Sequence, residues 1–192
     1  MGFVEMRNIT LLIKPASARC QYRCRYCFYE EVSAQRSLKN CGMMAPETVS
    51  ELLSKVFAPA PRNISFVFQG GEPLLAGREF YEEFVRLVQE KNVCRARVQY
   101  SLQTNGALLD EAYCRFFRQN GFLIGLSLDG PKELNDRNRV DSVGKSTFSA
   151  TMDAARLLMR ERVERNVLTV LTDKKPYSRY AYTHGYREKQ TF

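Results

Sequence analysis

Apolar runs and amphipathic helical stretches alternate along this chain at a spacing of about thirty residues, the period of a strand followed by a crossover helix. "NITLLIKP" reads as the first strand. "APETVSELLSKVF" reads as a helix, with Pro46 near its start and Val49, Leu52, Leu53 and Val56 on one face. "ISFVFQ" is a continuous apolar run of the kind buried on both faces of a parallel sheet. "REFYEEFVRLVQEK" then sets Phe80, Phe84, Leu87 and Val88 in helical register. The third strand, "ARVQYSLQ", leads into the helix "LDEAYCRFFRQNG", which Asp110 is placed to cap and Gly121 to stop. "FLIGLSLDG" is the fourth strand. "STFSATMDAARLLMRER" is a helix with Phe148, Met152, Ala155 and Met159 expected on its buried side, and "RNVLTVLT" is the fifth strand. The pattern predicts an α/β fold of about five parallel strands with helices outside.

Polar residues gather where these strands end: Gln69-Gly70-Gly71-Glu72, Thr104-Asn105-Gly106, and Ser127 to Asp129. Parallel α/β folds build their sites along that edge, although Thr104-Asn105-Gly106 reads equally well as a plain turn. After Thr172 the rhythm stops, and "DKKPYSRYAYTHGYREKQTF" shows no helical stripe. Residues 1–173 are thus expected to form the core and 174–192 an irregular tail.

At 192 residues the chain is long enough to bury a real core. No run of 18 apolar residues occurs, so no membrane span is expected. The opening "MGFVEMRNITLLIKP" has an acidic residue ahead of its apolar run and no small-residue cleavage site, so a cytoplasmic protein is expected. The net charge of +8 suits an acidic partner. No basic run with interleaved aromatics is present, so nucleic acid is not expected as a partner.

Six cysteines occur, and three of them, Cys20, Cys24 and Cys27, crowd into "RCQYRCRYCFYEE". In a cytosolic chain, clustered cysteines indicate metal binding or catalysis rather than disulfides. Cys41, Cys94 and Cys114 are scattered and read as buried free thiols. A structural zinc site would need a fourth ligand, either Cys41 or the only histidine, His184. An iron–sulfur cube takes one thiolate per iron, so three thiolates leave one iron open to a small molecule.

The C-x3-C-x2-C spacing after a first strand, with Tyr26 before the last cysteine, resembles the radical S-adenosylmethionine enzymes. "KPASARCQYRCRYCFY", "FVFQGGEPLLAG", "SLQTNG", "GLSLDGPKELNDRNR" and "NVLTVLT" together resemble the anaerobic sulfatase-maturating enzymes, over roughly residues 7 to 173. The resemblance implies a partial (β/α)6 TIM-like barrel, incomplete at its C-terminus. It implies a [4Fe-4S] cluster on Cys20, Cys24 and Cys27, and S-adenosyl-L-methionine on the open iron. By the same resemblance Tyr26 lies near the adenine, Gly71 meets the methionine amino group, Ser127 contacts the cofactor and Arg139 pairs with its carboxylate. Gln69 stands where the family faces the target side chain.

The implied reaction uses a 5′-deoxyadenosyl radical to oxidise a Cys or Ser of a sulfatase polypeptide to Cα-formylglycine. Its implied electron donor is a flavodoxin or a ferredoxin-like protein. The family closes its barrel with a sixth strand and adds a cysteine-rich domain carrying auxiliary clusters and the catalytic base. Cys114 is the last cysteine here, so no catalytic residue is expected in this chain, and truncation or a frameshift near residue 174 is expected. A radical enzyme acting on another peptide, an inactive remnant and a zinc module are the competing readings.

Overall fold

The structure is a computed structural model, and it describes residues 8–171. The expectations for residues 1–7 and 172–192, His184 and the tail among them, lie outside the described residues. Five strands form one parallel sheet in sequence order: β1 (Asn8–Ile13), β2 (Asn63–Phe68), β3 (Arg97–Thr104), β4 (Phe122–Ser127) and β5 (Arg165–Leu168). The helices are α1 (Phe28–Ala34), α2 (Pro46–Phe57), α3 (Arg78–Lys91), α4 (Glu111–Gln119), α5 (Lys132–Asn138) and α6 (Phe148–Arg160). A 3-10 turn spans Pro73–Ala76. The five strands leave the sheet open, as a partial barrel is. No helix among the described residues is long and apolar enough to cross a membrane.

The core lies between the sheet and its helices. Ile64, Phe66 and Phe68 of β2 point into it and meet Leu53 of α2 and Tyr81 and Phe84 of α3, all buried. Phe68 meets Phe84 and Tyr81 edge-to-face, with centroids 5.0 and 5.2 Å apart, the geometry aromatic quadrupoles favour. Tyr100 stacks on Phe122 at 4.8 Å and carries the aromatic layer across β3 and β4.

Asp110 caps α4 as the sequence predicts, accepting from the Tyr113 N–H at 2.7 Å. Gly121 follows that helix at φ +64°, the left-handed turn that glycine adopts without a Cβ clash.

The structure corrects four expectations. Strand β2 is covered on one face only: Ser65 and Val67 are half-buried between fully buried neighbours, because no helix among the described residues packs on the sheet's inner side. Helix α6 buries Thr151, Ala154 and Leu158, one position round from the expected Phe148, Met152, Ala155 and Met159 stripe. Thr151 turns inward because its hydroxyl finds the carbonyl of Asn105 at 3.5 Å and of Thr147 at 3.1 Å. Of the scattered thiols, Cys114 is buried and Cys94 half-buried, whereas Cys41 is exposed in the loop ahead of α2. Helices α1 and α5 were not anticipated. Neither carries an apolar stripe, since α1 buries no residue and α5 buries only Asn135.

Candidate functional site

The loop leaving β1 crosses the C-terminal end of the sheet carrying all three clustered cysteines, and backbone bonds hold it from two sides. From the β2 end, the Gly71 N–H donates to the Ser17 carbonyl at 3.1 Å and the Glu72 N–H to the Arg19 carbonyl at 2.7 Å. From the end of α5 and the residues just past it, the carbonyls of Val140 and Asn138 accept from Arg23 N at 2.8 Å and Arg25 N at 2.9 Å. Cys20 and Cys24 are therefore suspended between two anchored strips of chain. Cys27 sits at the N-cap of α1 and makes no side-chain cap bond, which leaves its thiol available. Burial pushes the Cys20 thiol up to about 11 and raises Cys24 as well.

Glu72 braces this end of the sheet from beneath. Its carboxylate is 1% exposed and accepts from the Leu74 N–H at 3.0 Å, the Thr104 hydroxyl at 2.8 Å and the Asn105 N–H at 2.8 Å. Thr104-Asn105-Gly106 is therefore part of the site as well as a turn. Gly71 is confined by the chain itself: a Cβ there would lie 2.0 Å from the Arg19 carbonyl oxygen. Whatever approaches Gly71 from the cavity, the cysteine loop alone already requires glycine.

A second group closes the other flank. The Tyr26 hydroxyl donates to Asp129 Oδ2 at 2.5 Å and accepts from Arg139 Nη1 at 2.9 Å. Arg139 is 6% exposed, and its Nε is buried without a hydrogen-bond acceptor. Burial alone would lower the Arg139 pKa, but Cys24, Tyr26 and Asp129 hold it above its ordinary value. Asp129 Oδ1 also accepts from the Val170 N–H at 3.1 Å, which links the group to the end of β5. Gln69 Nε2 donates to the Tyr29 hydroxyl at 2.8 Å, and Ser127 Oγ accepts from Gln103 Nε2 at 2.7 Å.

Cys20, Cys24, Cys27, Tyr26, Gln69, Gly71, Ser127 and Arg139 all line one cavity of about 850 Å3 at this end of the sheet. That size lies within the range of cofactor sites. Among the described residues, no group of three or more His, Cys, Asp or Glu converges tightly enough to hold a single metal ion. Cys41 lines no part of this cavity. In an iron–sulfur cube each thiolate takes its own iron, so three thiols lining one cavity fit the donor set of a cluster. The orphaned Arg139 Nε, a buried cationic donor, fits a ligand carboxylate.

Sequence reasoning passed over Glu72, Asn105, Asp129 and Gln103 as individual site residues. The one available signal was their position at strand ends, since their contacts join residues far apart in the chain.

Residues 15–175 match the family profile of the Radical SAM superfamily. The cysteine-type anaerobic sulfatase-maturating enzyme of Clostridium perfringens (strain 13 / Type A) is 45% identical over 167 residues, which cover 87% of this chain and 45% of that protein. The serine-type enzyme of Klebsiella aerogenes is 38% identical over 164 residues, covering 84% of this chain and 39% of that one. The solved structure of native anSMEcpe with bound AdoMet and Kp18Cys peptide superposes with a TM-score of 0.86 at 41% identity, covering 95% of this chain and 49% of that one. The chain thus spans less than half the length of these relatives. Methylornithine synthase (PylB), at 17% identity and a TM-score of 0.52, shares the fold alone.

Proposed function

Since this chain belongs to the Radical SAM superfamily, we propose that residues 1–173 are the catalytic core of an anaerobic sulfatase-maturating enzyme, acting on a Cys or Ser of a sulfatase polypeptide to form Cα-formylglycine. The observation that carries this reading is that every residue the motifs single out lines the same cavity.

In this reading Cys20, Cys24 and Cys27 hold a [4Fe-4S] cluster whose fourth iron takes S-adenosyl-L-methionine. When bound, the pair would supply the one-electron reductive cleavage and the hydrogen abstraction that the reaction needs. The thiols must ionise to ligate, so loading releases protons, and burial of Cys20 favours its protonated form before loading.

Tyr26 offers its ring to the adenine, and its hydroxyl, tied to Asp129 and Arg139, stops the ring from turning. Arg139 meets the methionine carboxylate with its unpaired Nε. Gly71 brings backbone close to the methionine amino group. Ser127, whose oxygen already accepts from Gln103, keeps its own O–H to donate to the cofactor. Gln69, its amide oriented by Tyr29, faces the target side chain. No residue of this chain is assigned the role of catalytic base.

The net charge of +8 suits an acidic flavodoxin or ferredoxin as donor, and the protein is placed in the cytoplasm.

The test is anaerobic incubation of the reconstituted chain with dithionite, S-adenosylmethionine and a peptide containing Cys-x-Pro-x-Arg. The expected result is 5′-deoxyadenosine and methionine in equal amounts, with the peptide cysteine converted to a hydrazide-reactive aldehyde. A cluster-loaded chain that leaves S-adenosylmethionine intact would overturn the reading. Cleavage without aldehyde would overturn peptide oxidation by this chain and leave the cofactor reading standing.

A further inference from the structure

Asn105 lies just past β3 with all four of its polar atoms occupied. Its N–H donates to Glu72 Oε2 at 2.8 Å, and its carbonyl accepts from the Thr151 hydroxyl at 3.5 Å. Its side-chain Oδ1 accepts from the Ala107 N–H at 3.0 Å and from Gln21 Nε2 at 3.2 Å. These bonds settle which way the amide faces. A backbone N–H can only donate, so the atom beside Ala107 must be the oxygen. The NH2 group is left pointing at Cys20 Sγ, 3.6 Å away. The Tyr22 N–H reaches the same sulfur at 3.4 Å. Asn105 itself is 5% exposed, so its amide is held by these protein partners rather than by solvent.

We propose that Asn105 is a positioning residue that sets the reduction potential of the bound cluster through its N–H···S bond to Cys20. The proposal rests on the reading that Cys20, Cys24 and Cys27 carry that cluster.

One-electron reduction by a flavodoxin-class donor or dithionite adds a negative charge to the cluster and its thiolates and breaks no bond. An N–H dipole aimed at one thiolate stabilises that charge, and hydrogen bonds to the sulfurs are among the factors that set such potentials. Asn105 therefore makes the cluster easier to reduce. Glu72 and Gln21 hold it in place: Glu72 fixes the Asn105 backbone and Gln21 braces its Oδ1. The donor thus keeps its aim in both redox states.

The experiment is an EPR-monitored redox titration of the full chain, reconstituted with iron and sulfide, comparing wild type with Asn105→Leu and Asn105→Asp. The aspartate keeps the oxygen that the Ala107 N–H needs, so it preserves the turn while removing the donor. Both variants are expected to be about tenfold harder to reduce, about 59 mV lower in midpoint potential for one electron. Asn105→Asp is expected to fall further because of its added charge.

A loaded variant with the wild-type potential would overturn the proposal. Loss of the cluster from both variants would overturn it as well, marking Asn105 as a purely structural brace. A wild-type chain that takes up no iron and sulfide would overturn the cluster reading itself, and this inference with it.

Discussion

Replacing Glu72 tests the brace beneath the site. Its carboxylate accepts from two backbone N–H groups, Leu74 and Asn105, and from the Thr104 hydroxyl, in a position where no water reaches. In Glu72→Gln the amide oxygen can serve Leu74 and Thr104, but the NH2 then faces the Asn105 N–H, donor against donor. One orphaned buried N–H costs about 1–3 kcal/mol. Burial raises the Glu72 pKa, so removing the charge recovers part of that cost, and the net loss is expected at the lower end, about 1–2 kcal/mol. Glu72→Ala leaves all three donors unmet, on the order of 4 kcal/mol, a large share of what a domain of this size has.

The assay is urea unfolding followed by circular dichroism, with equal slopes required so that midpoints report stability. The order wild type, Gln, Ala, with well-separated midpoints, is expected. If both variants lie within about 0.5 kcal/mol of wild type, the reasoning about unmet donors is refuted. If Gln costs as much as Ala, the charge and not the bonding pattern is what matters.

Three further expectations follow from the geometry. Asp136 accepts from Ser146 Oγ and from the N–H groups of Thr147 and Phe148 at 3.2 Å each, which ties down the start of α6. Burial pushes its pKa up, but the bonds from Ser146, Asn135 and Lys132 outweigh that and hold it below the ordinary aspartate value. Its folded pKa being depressed, its contribution is present above the unfolded pKa and lost as pH falls through the folded one. Asp136→Asn should therefore cost about 1 kcal/mol near neutrality and nothing in strong acid, read as urea midpoints against pH. Gly71→Ala drives a methyl toward the Arg19 carbonyl, 2.0 Å from the ideal Cβ, so iron and sulfide per chain should fall sharply even where the fold survives by circular dichroism. Phe68→Ala empties the centre of the aromatic layer and should cost about 3–5 kcal/mol in the same unfolding assay.

The strands were legible because each is a short apolar run bounded by turn residues, and α2, α3 and α4 because their apolar faces repeat at helical spacing. Helices α1 and α5 have no such face, and they form because the cysteine loop and the Arg139 segment hold their ends. The α6 register differs because Thr151, polar by composition, is drawn inward by the Asn105 carbonyl, which only the folded chain supplies. Cys20, Cys24 and Cys27 were visible from their spacing alone. Asp129 was not, because its partner Tyr26 lies 103 residues away, and hydrogen bonds across such a span leave no local pattern. Asn105 was legible only as a turn, since nothing in "SLQTNG" says which sulfur its amide will find.

Everything proposed for this chain depends on Cys20, Cys24 and Cys27 holding a cluster with one iron open inside this cavity. The low-temperature EPR spectrum of the anaerobically reconstituted, reduced chain, with and without S-adenosylmethionine, tests it most directly. The expected result is a cluster signal that changes when S-adenosylmethionine is added, and that is lost from a Cys24→Ala chain. A signal that S-adenosylmethionine leaves unmoved, or no cluster signal at all, would contradict it.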